Sequence, residues 1–206
     1  MATEDGTVAD PARRRRLAVL AGHEGDVGAA RRYLGDGDAA VRAAALGALV
    51  RSHALAPGEL VAGLRDAAPT VRRRAAELAA GAPDVDLVFL LDDSDDSVVE
   101  MAAWAIGEQG RPEPDTIDRL STLAATHADP LCREAAVAAL GALGDERGLA
   151  AILAALDDKP AVRRRAVIAL APFEGPDVDA ALHRALDDRD WQVRQAAEDQ
   201  LRAEGD

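Results

Sequence analysis

The sequence predicts an all-α protein built as a stack of about six helix hairpins. Two observations carry this prediction: a composition that favours helix, and a segment that recurs at a nearly constant interval. Of the 206 residues, 49% are hydrophobic and only 2% are aromatic, so the apolar side chains are mostly Ala, Leu and Val. Ala, Leu and Arg favour helix, whereas a β-sandwich would need more aromatic and β-branched residues.

The recurring segment begins with a small or β-branched apolar residue, here called the anchor, which Arg usually follows. The six anchors lie 27 to 34 residues apart and are Val41, Val71, Val98, Cys132, Val162 and Val193. After each anchor, apolar residues recur at helical spacing, which places one apolar stripe along a helix. The residue four positions after every anchor is Ala. We therefore expect that position to face the core and to let a neighbouring helix approach closely.

A first helix is predicted before each anchor, which makes each repeat a hairpin. The candidate ranges are 26–34, 58–64, 84–91, 115–125, 146–156 and 177–186. Proline near a helix start is pre-organised for the first turn, and it occurs at Pro57, Pro83, Pro114 and Pro176. Asp and Ser in the acidic turns can cap the second helix. A lone hairpin cannot bury its apolar stripe, but a stack of hairpins can.

The ends of the chain differ from the repeats. A helix over residues 11–21 precedes the first full pair and is predicted to cap that end of the stack. Residues 1–10 are predicted to form a flexible tail, and residues 11–206 a single domain. The polar residues of the last helix, such as Glu198 and Asp199, suit a cap at the other end.

Three stretches carry a resemblance to a known family: Asp129 to Asp145, Val162 to Leu170 and Met101 to Gly107. They resemble the short HEAT-like repeat, in the version similar to that of phycobilin lyases, over about residues 12–203. The resemblance implies a right-handed α-solenoid whose concave surface is lined by the second helix of each pair. It also implies a protein-binding scaffold. Two departures from the pattern are Val99, where Arg is usual, and the weaker lead-in around Pro57.

The charge and the cysteine content bear on partners and compartment. The net charge is −13, from 24 basic and 37 acidic residues. An acidic surface repels phosphate backbones and anionic lipid, which argues against nucleic acid and membrane as partners. The clusters Arg13 to Arg16, Arg72 to Arg74 and Arg163 to Arg165 are the exceptions. A lone cysteine and the lack of a long apolar run predict a cytoplasmic protein, with a monomer favoured.

Pairs of Asp and Arg four residues apart flank the anchors. They are Asp38 and Arg42, Asp129 and Arg133, and Asp190 and Arg194. One helical turn separates the members of each pair, so the side chains can form an ion pair while the Asp caps the helix. Repeated along a stack, these residues are predicted to form a structural ladder between repeats.

The sequence offers little for catalysis, and no cofactor, metal or catalytic residue is predicted. HEAT-like hydroxylases bind two irons through paired His-Glu dipeptides, but here only His23-Glu24 fits, and it is expected on a loop. Cys132 stands where other repeats have Val, as a small buried residue. The predicted function is a non-catalytic scaffold or adaptor. Two alternatives stay open: an enzyme or enzyme subunit resembling phycobilin lyases or a HEAT-like hydroxylase, and nucleic-acid binding.

The candidate partner-binding surface follows from the repeat phase. Positions two, three and six after each anchor should turn away from the core. In the central repeats they supply a Trp-centred set with charged neighbours, which resembles a binding hot spot. Its members are Arg74, Glu100, Met101, Trp104 and Arg165.

Overall fold

The computed structural model describes residues 10–112 and 115–203. Within these ranges the chain forms twelve α-helices and short 3-10 segments, with no β-strand, which confirms the all-α prediction. The tail predicted over residues 1–10 lies outside the described residues apart from residue 10, and Pro114 also lies outside them. The contacts between residues group the chain into two compact units, Met1–Leu78 and Ala79–Asp206. The single domain predicted over residues 11–206 stays a prediction.

The first unit contains the helix ahead of the repeats and two hairpins. Its helices are α1 (Pro11–Glu24), α2 (Val27–Arg32), α3 (Ala39–Arg51), α4 (Pro57–Leu64) and α5 (Pro69–Ala79), the last of which ends at the boundary between the units. We call the second helix of each hairpin its B helix, so α3 and α5 are B helices. Helix α1 packs along α3 and takes the place of a B helix at that end. It extends to Glu24, so His23 lies in the last helical turn and not on the expected loop.

The second unit contains four B helices and the segments that precede them. Its helices are α6 (Asp96–Gln109), α7 (Thr116–Thr126), α8 (Pro130–Leu143), α9 (Leu149–Ala154), α10 (Pro160–Ala169), α11 (Pro176–Ala185) and α12 (Trp191–Ala203). The B helices α6, α8, α10 and α12 pack in sequence order, each along the next. Short 3-10 turns at Glu146–Gly148 and Ala155–Asp157 extend α9 at both ends.

The predicted helix over residues 84–91 is the one clear departure from the hairpin pattern. Only a 3-10 segment, Val88–Asp92, forms there. The anchors Val71 and Val98 are the most closely spaced pair, at 27 residues, so this repeat has fewer residues for a first helix. The Gln109 amide donates to the carbonyls of Ala79, Ala82 and Val85, which holds the preceding turn in a non-helical path.

The core follows the repeat phase. All six anchors are at most 2% exposed, and the Ala four positions later is fully buried in every repeat. The expected inward orientation of both positions is therefore confirmed. Within this core, neighbouring B helices touch at glycines that the sequence reasoning did not single out. A Cβ atom added to Gly22 would lie 2.6 Å from the Cα of Ala48, and one added to Gly141 would lie 2.6 Å from the Cα of Ala169.

Candidate functional site

Arg and Asp side chains form ion pairs that run between repeats rather than within a helix, and we call this set the ladder. Asp38 caps α3 by accepting hydrogen bonds from the backbone N–H groups of Ala40 and Val41 at 2.9 and 3.1 Å. The guanidinium of Arg42 instead binds Asp66 of the next turn, with contacts of 2.6 and 2.8 Å. The pairing of Asp38 with Arg42 is therefore corrected, because the capping bonds already occupy Asp38 and the Arg side chain is long enough to reach the next repeat.

The same arrangement recurs in the second unit. Asp129 caps α8, and Arg133 pairs with Asp158 at 2.6 and 2.7 Å. Asp190 accepts from the N–H of Gln192, whereas Arg194 donates to the carbonyl of Asp188 at 2.7 Å. The Asp residues are thus helix caps. The Arg residues bind either the turn just before their own B helix or the corresponding turn of the next repeat.

Each Arg–Asp pair between repeats is here called a rung of the ladder. The sequence did not predict the rungs Arg14 with Asp36 and Arg163 with Asp188. Both belong to the same pattern, because Asp36, Asp66 and Asp188 each lie five residues before an anchor. In each case the Arg side chain holds the pKa of its Asp partner below the usual value through direct hydrogen bonds, and burial opposes the shift.

Val99, which stands where Arg follows most other anchors, coincides with a second replacement in the next repeat. Val99 occupies the ladder-Arg position of α6 and is buried. In the next repeat, the position five before the anchor holds His127 instead of Asp. His127 Nδ1 takes the local role of the Asp by accepting from the N–H of Asp129 at 3.2 Å. Both partners of a rung are therefore replaced together at this junction.

The predicted partner-binding residues divide between the two units. Arg74 lies on α5 of the first unit, where it pairs with Glu77 at 2.8 Å. Glu100, Met101 and Trp104 lie on α6 of the second unit, and Arg165 lies on α10.

The residues of the second unit lie on one face of its B helices, here called the Trp104 patch. Its apolar side chains are Trp104 (41% exposed) with half-buried Met101 on α6, Leu131 (55% exposed) on α8, and Ile168 (38% exposed) on α10. Arg165 contacts Glu134 of α8 at 3.3 Å, which joins two helices across this face. Trp104 is therefore not packed away between repeats, and its side chain is accessible on this face.

Arg74 lines a groove of the first unit, here called the arginine groove. Helices α1, α3 and α5 form it around a volume of about 450 Å³. Its basic residues are Arg15, Arg51, Arg73 and Arg74, and its floor is built from small residues of α3, including Gly47. The run Arg72 to Arg74 thus serves two purposes, since Arg72 donates to the carbonyls of Asp66 and Ala67 while the next two arginines face the groove.

The residues considered for catalysis lie apart from one another. Within residues 10–112 and 115–203, no three His, Cys, Asp or Glu side chains form a metal-binding group. His183 is exposed and its Nδ1 lies 2.8 Å from the carbonyl oxygen of Asp179, and His53 occupies a turn with a positive φ of 51°. No helix in the described part of the chain is both long and apolar enough to cross a bilayer.

Cys132 is expected to be inert while the protein is folded. It is fully buried at its anchor position, and burial together with the nearby Asp129 carboxylate raises the pKa of its thiol to about 12. Since the thiolate is the reactive form, a thiol reagent such as DTNB should label Cys132 only as fast as the protein unfolds. Stoichiometric labelling of the native protein at the rate of a free thiol would contradict this prediction.

Comparison with known proteins identifies the repeat. The sequence profile described as HEAT repeats matches residues 85–161 and 122–202, which together span more than half of the chain. No curated protein matches the sequence. The finer likeness to phycobilin lyase repeats stays a prediction.

Solved structures share the fold. A designed armadillo repeat protein aligns with a TM-score of 0.58 at 20% identity, over 84% of this chain and 98% of its own. Two engineered proteins align with TM-scores of 0.59 and 0.60 at 21% and 20% identity, over 86% and 92% of this chain and 95% and 62% of their own. Identities this low show the fold alone, which is a helical repeat solenoid. Together with the profile match, they establish that the chain belongs to the HEAT repeat family.

Proposed function

We propose that the protein is a non-catalytic scaffold that binds an amphipathic helix of a partner protein at the Trp104 patch. The single observation that carries this proposal is the exposed apolar side chains of Trp104, Leu131 and Ile168 on three successive B helices. Apolar residues that line one face together are typical of protein-binding surfaces.

The shape of the patch favours a helix as the bound element. Between Leu131 and the end of α8, the same helix face carries the small residues Ala135, Ala138 and Ala142. Trp104 on α6 and Ile168 on α10 stand on either side of this low strip. Neighbouring helices pack roughly 8–10 Å apart, so α6 and α10, with α8 between them, leave room above α8 for a helix of roughly 10–12 Å diameter. We call this strip the trough. An amphipathic helix can place its apolar stripe in such a trough.

The charges around the trough favour a partner with both signs at its edges. Glu100 borders Trp104, whereas Arg164 and Arg165 border Ile168. A mixed rim of this kind orients a bound helix more than it strengthens binding. The lone buried cysteine, Cys132, is consistent with a reducing compartment, and a cytoplasmic location is part of the proposal.

The test compares two tryptophans. Trp104→Ala should weaken the binding of a partner recovered by affinity purification by roughly 2 kcal/mol or more, which is about thirty-fold in Kd. Ala138→Arg should do the same by obstructing the trough at a half-buried position. Binding is measured by calorimetry with the partner's purified helical segment, and a thermal melt shows that each variant is folded.

Trp191→Ala is the matched control. Trp191 is 64% exposed at the first residue of α12, which is not one of the three helices that form the trough, so its removal should change the Kd by less than about two-fold. A partner whose affinity is insensitive to Trp104→Ala and Ala138→Arg, or equally sensitive to Trp191→Ala, would refute the proposed site.

A further inference from the structure

The arginine groove of the first unit is a second candidate binding site, independent of the Trp104 patch. Three of its four arginines, Arg15, Arg51 and Arg73, are exposed. Among the described residues none of these three forms a hydrogen bond or an ion pair with another side chain, and the described groove lining contains no acidic residue. In a protein of net charge −13, a cleft lined by four arginines, of which Arg74 alone pairs with a carboxylate, concentrates positive charge at one place.

The arginines of this groove differ from those of the ladder. Arg14 and Arg42, on the same helices, are committed to Asp36 and Asp66. The ladder therefore satisfies its own guanidinium groups. In the groove, Arg74 pairs with Glu77, and Arg15, Arg51 and Arg73 are left for a ligand. Each guanidinium presents a planar set of donors that matches a carboxylate in a two-point contact.

The floor of the groove is shaped for close approach. It is formed by Ala40, Ala43, Ala44, Gly47 and Ala48 of α3. Gly47 lies inside a helix, where Gly is less favourable than Ala by roughly 1 kcal/mol. Its lack of a side chain makes room for the guanidinium of Arg74, because a Cβ there would lie 2.7 Å from Nη2 of Arg74. An extended peptide backbone needs such a floor in order to bring its side chains to the surrounding arginines.

We propose that this groove binds an acidic peptide segment of a partner protein, with the partner's Asp or Glu carboxylates paired to Arg15, Arg51 and Arg73. The confined shape favours a peptide over nucleic acid. A nucleic acid requires a track of phosphate contacts beyond a single cleft, and the excess of acidic residues in this chain repels it.

The test uses a short fluorescein-labelled oligoglutamate peptide and measures anisotropy at low salt. We expect saturable binding that weakens as salt is added, and no binding of an oligoglutamine peptide of the same length. Arg51→Gln and Arg73→Gln should each raise the Kd roughly five-fold or more. Gly47→Leu should do the same without any change of charge, because it fills the floor and needs only the flexible end of Arg74 to move.

Arg32→Gln is the matched control. Arg32 is exposed on α2, outside the groove lining, and its loss changes the net charge by the same amount. It should raise the Kd by less than about two-fold. A thermal melt of each variant confirms folding, and since Arg51 and Arg73 are exposed, their substitution should leave the melt unchanged.

Four outcomes would overturn the proposal. The first is that oligoglutamate does not bind at low salt. The second is that Arg32→Gln raises the Kd as much as Arg73→Gln does. The third is that an oligothymidylate of equal charge binds more tightly and its Kd responds to the groove variants in the same way. The fourth is salt-sensitive dimerisation in light scattering that Arg51→Gln and Arg73→Gln abolish, which would make a second copy of this chain the occupant.

Discussion

Arg163→Ala is expected to lower the free energy of unfolding by about 3 kcal/mol, although the residue lies at no binding surface. The Arg163 side chain is 5% exposed and donates to both Asp188 oxygens, at 2.7 and 2.8 Å. It also donates to the carbonyl of Asp158 at 2.8 Å. Its removal deletes three hydrogen bonds and leaves the Asp188 carboxylate, itself only 16% exposed, without its cation.

Urea unfolding followed by circular dichroism measures this loss. Arg164→Ala is the matched control, since Arg164 is the next residue of the same helix and no ladder contact involves it. The control should change the free energy of unfolding by less than about 0.5 kcal/mol. Equal effects of the two substitutions, or a loss below about 1 kcal/mol for Arg163→Ala, would show that the ladder contributes little to stability.

The ladder also predicts an acid dependence. Arg163 lowers the pKa of Asp188, as Arg42 does for Asp66. A depressed pKa in the folded state stabilises the fold above the unfolded value of about 4, and this contribution is lost as the pH falls through the folded pKa. The wild type should therefore lose stability below about pH 4, and Arg163→Ala should show a shallower decline. Identical pH profiles would contradict the role assigned to this pair.

The repeat phase made much of the fold predictable, because the buried stripe of each helix appears in the sequence as apolar residues at helical spacing. The anchors and the Ala four positions later are buried as expected, and Trp104 and Ile168, six positions after their anchors, are exposed. These properties depend only on the 3.6-residue period of a single helix. The same reasoning did not single out Leu131, one position before its anchor, and it grouped Arg74 with residues that lie in the other unit.

The contacts between repeats were harder to predict, because they depend on how far one hairpin is displaced from the next. Local spacing pairs Asp38 with Arg42, yet the structure pairs Arg42 with Asp66, 24 residues away. Nothing in one helical turn encodes that distance. A usable signal was the recurrence of Asp five residues before an anchor, together with its replacement by His127 where Val99 replaces the Arg.

The arginine groove was hidden for a different reason. The runs Arg13 to Arg16 and Arg72 to Arg74 each contain both ladder and groove residues, because consecutive helical positions point in different directions. Arg72 binds backbone carbonyls, while Arg73 and Arg74 line the groove. Helical geometry limits each run to one or two residues per face, but the sequence does not show that arginines from α1, α3 and α5 converge on one cleft.

The tight packing of B helices gives the second large expectation: Gly141→Leu should destabilise the second unit by several kcal/mol or prevent its folding. Gly141 lies near the end of α8, nine positions after Cys132, where an added Cβ would sit 2.6 Å from both Cα and Cβ of Ala169 on α10. The atoms that would have to move belong to the backbone and the shortest side chain, so no rotamer change can relieve the clash. The helices would have to separate and expose their apolar stripes.

Gly141→Ala tests the same contact with the smallest possible side chain. We expect it to lower the free energy of unfolding by about 1–3 kcal/mol despite the higher helix propensity of Ala. Gly58→Ala is the matched control, since Gly58 lies in helix α4 with no atom near its added Cβ. The control should leave stability unchanged or raise it by up to about 1 kcal/mol. Thermal and urea unfolding of both variants measure the difference. If Gly141→Ala proves as harmless as Gly58→Ala, the close approach of α8 and α10 is not a constraint on the fold.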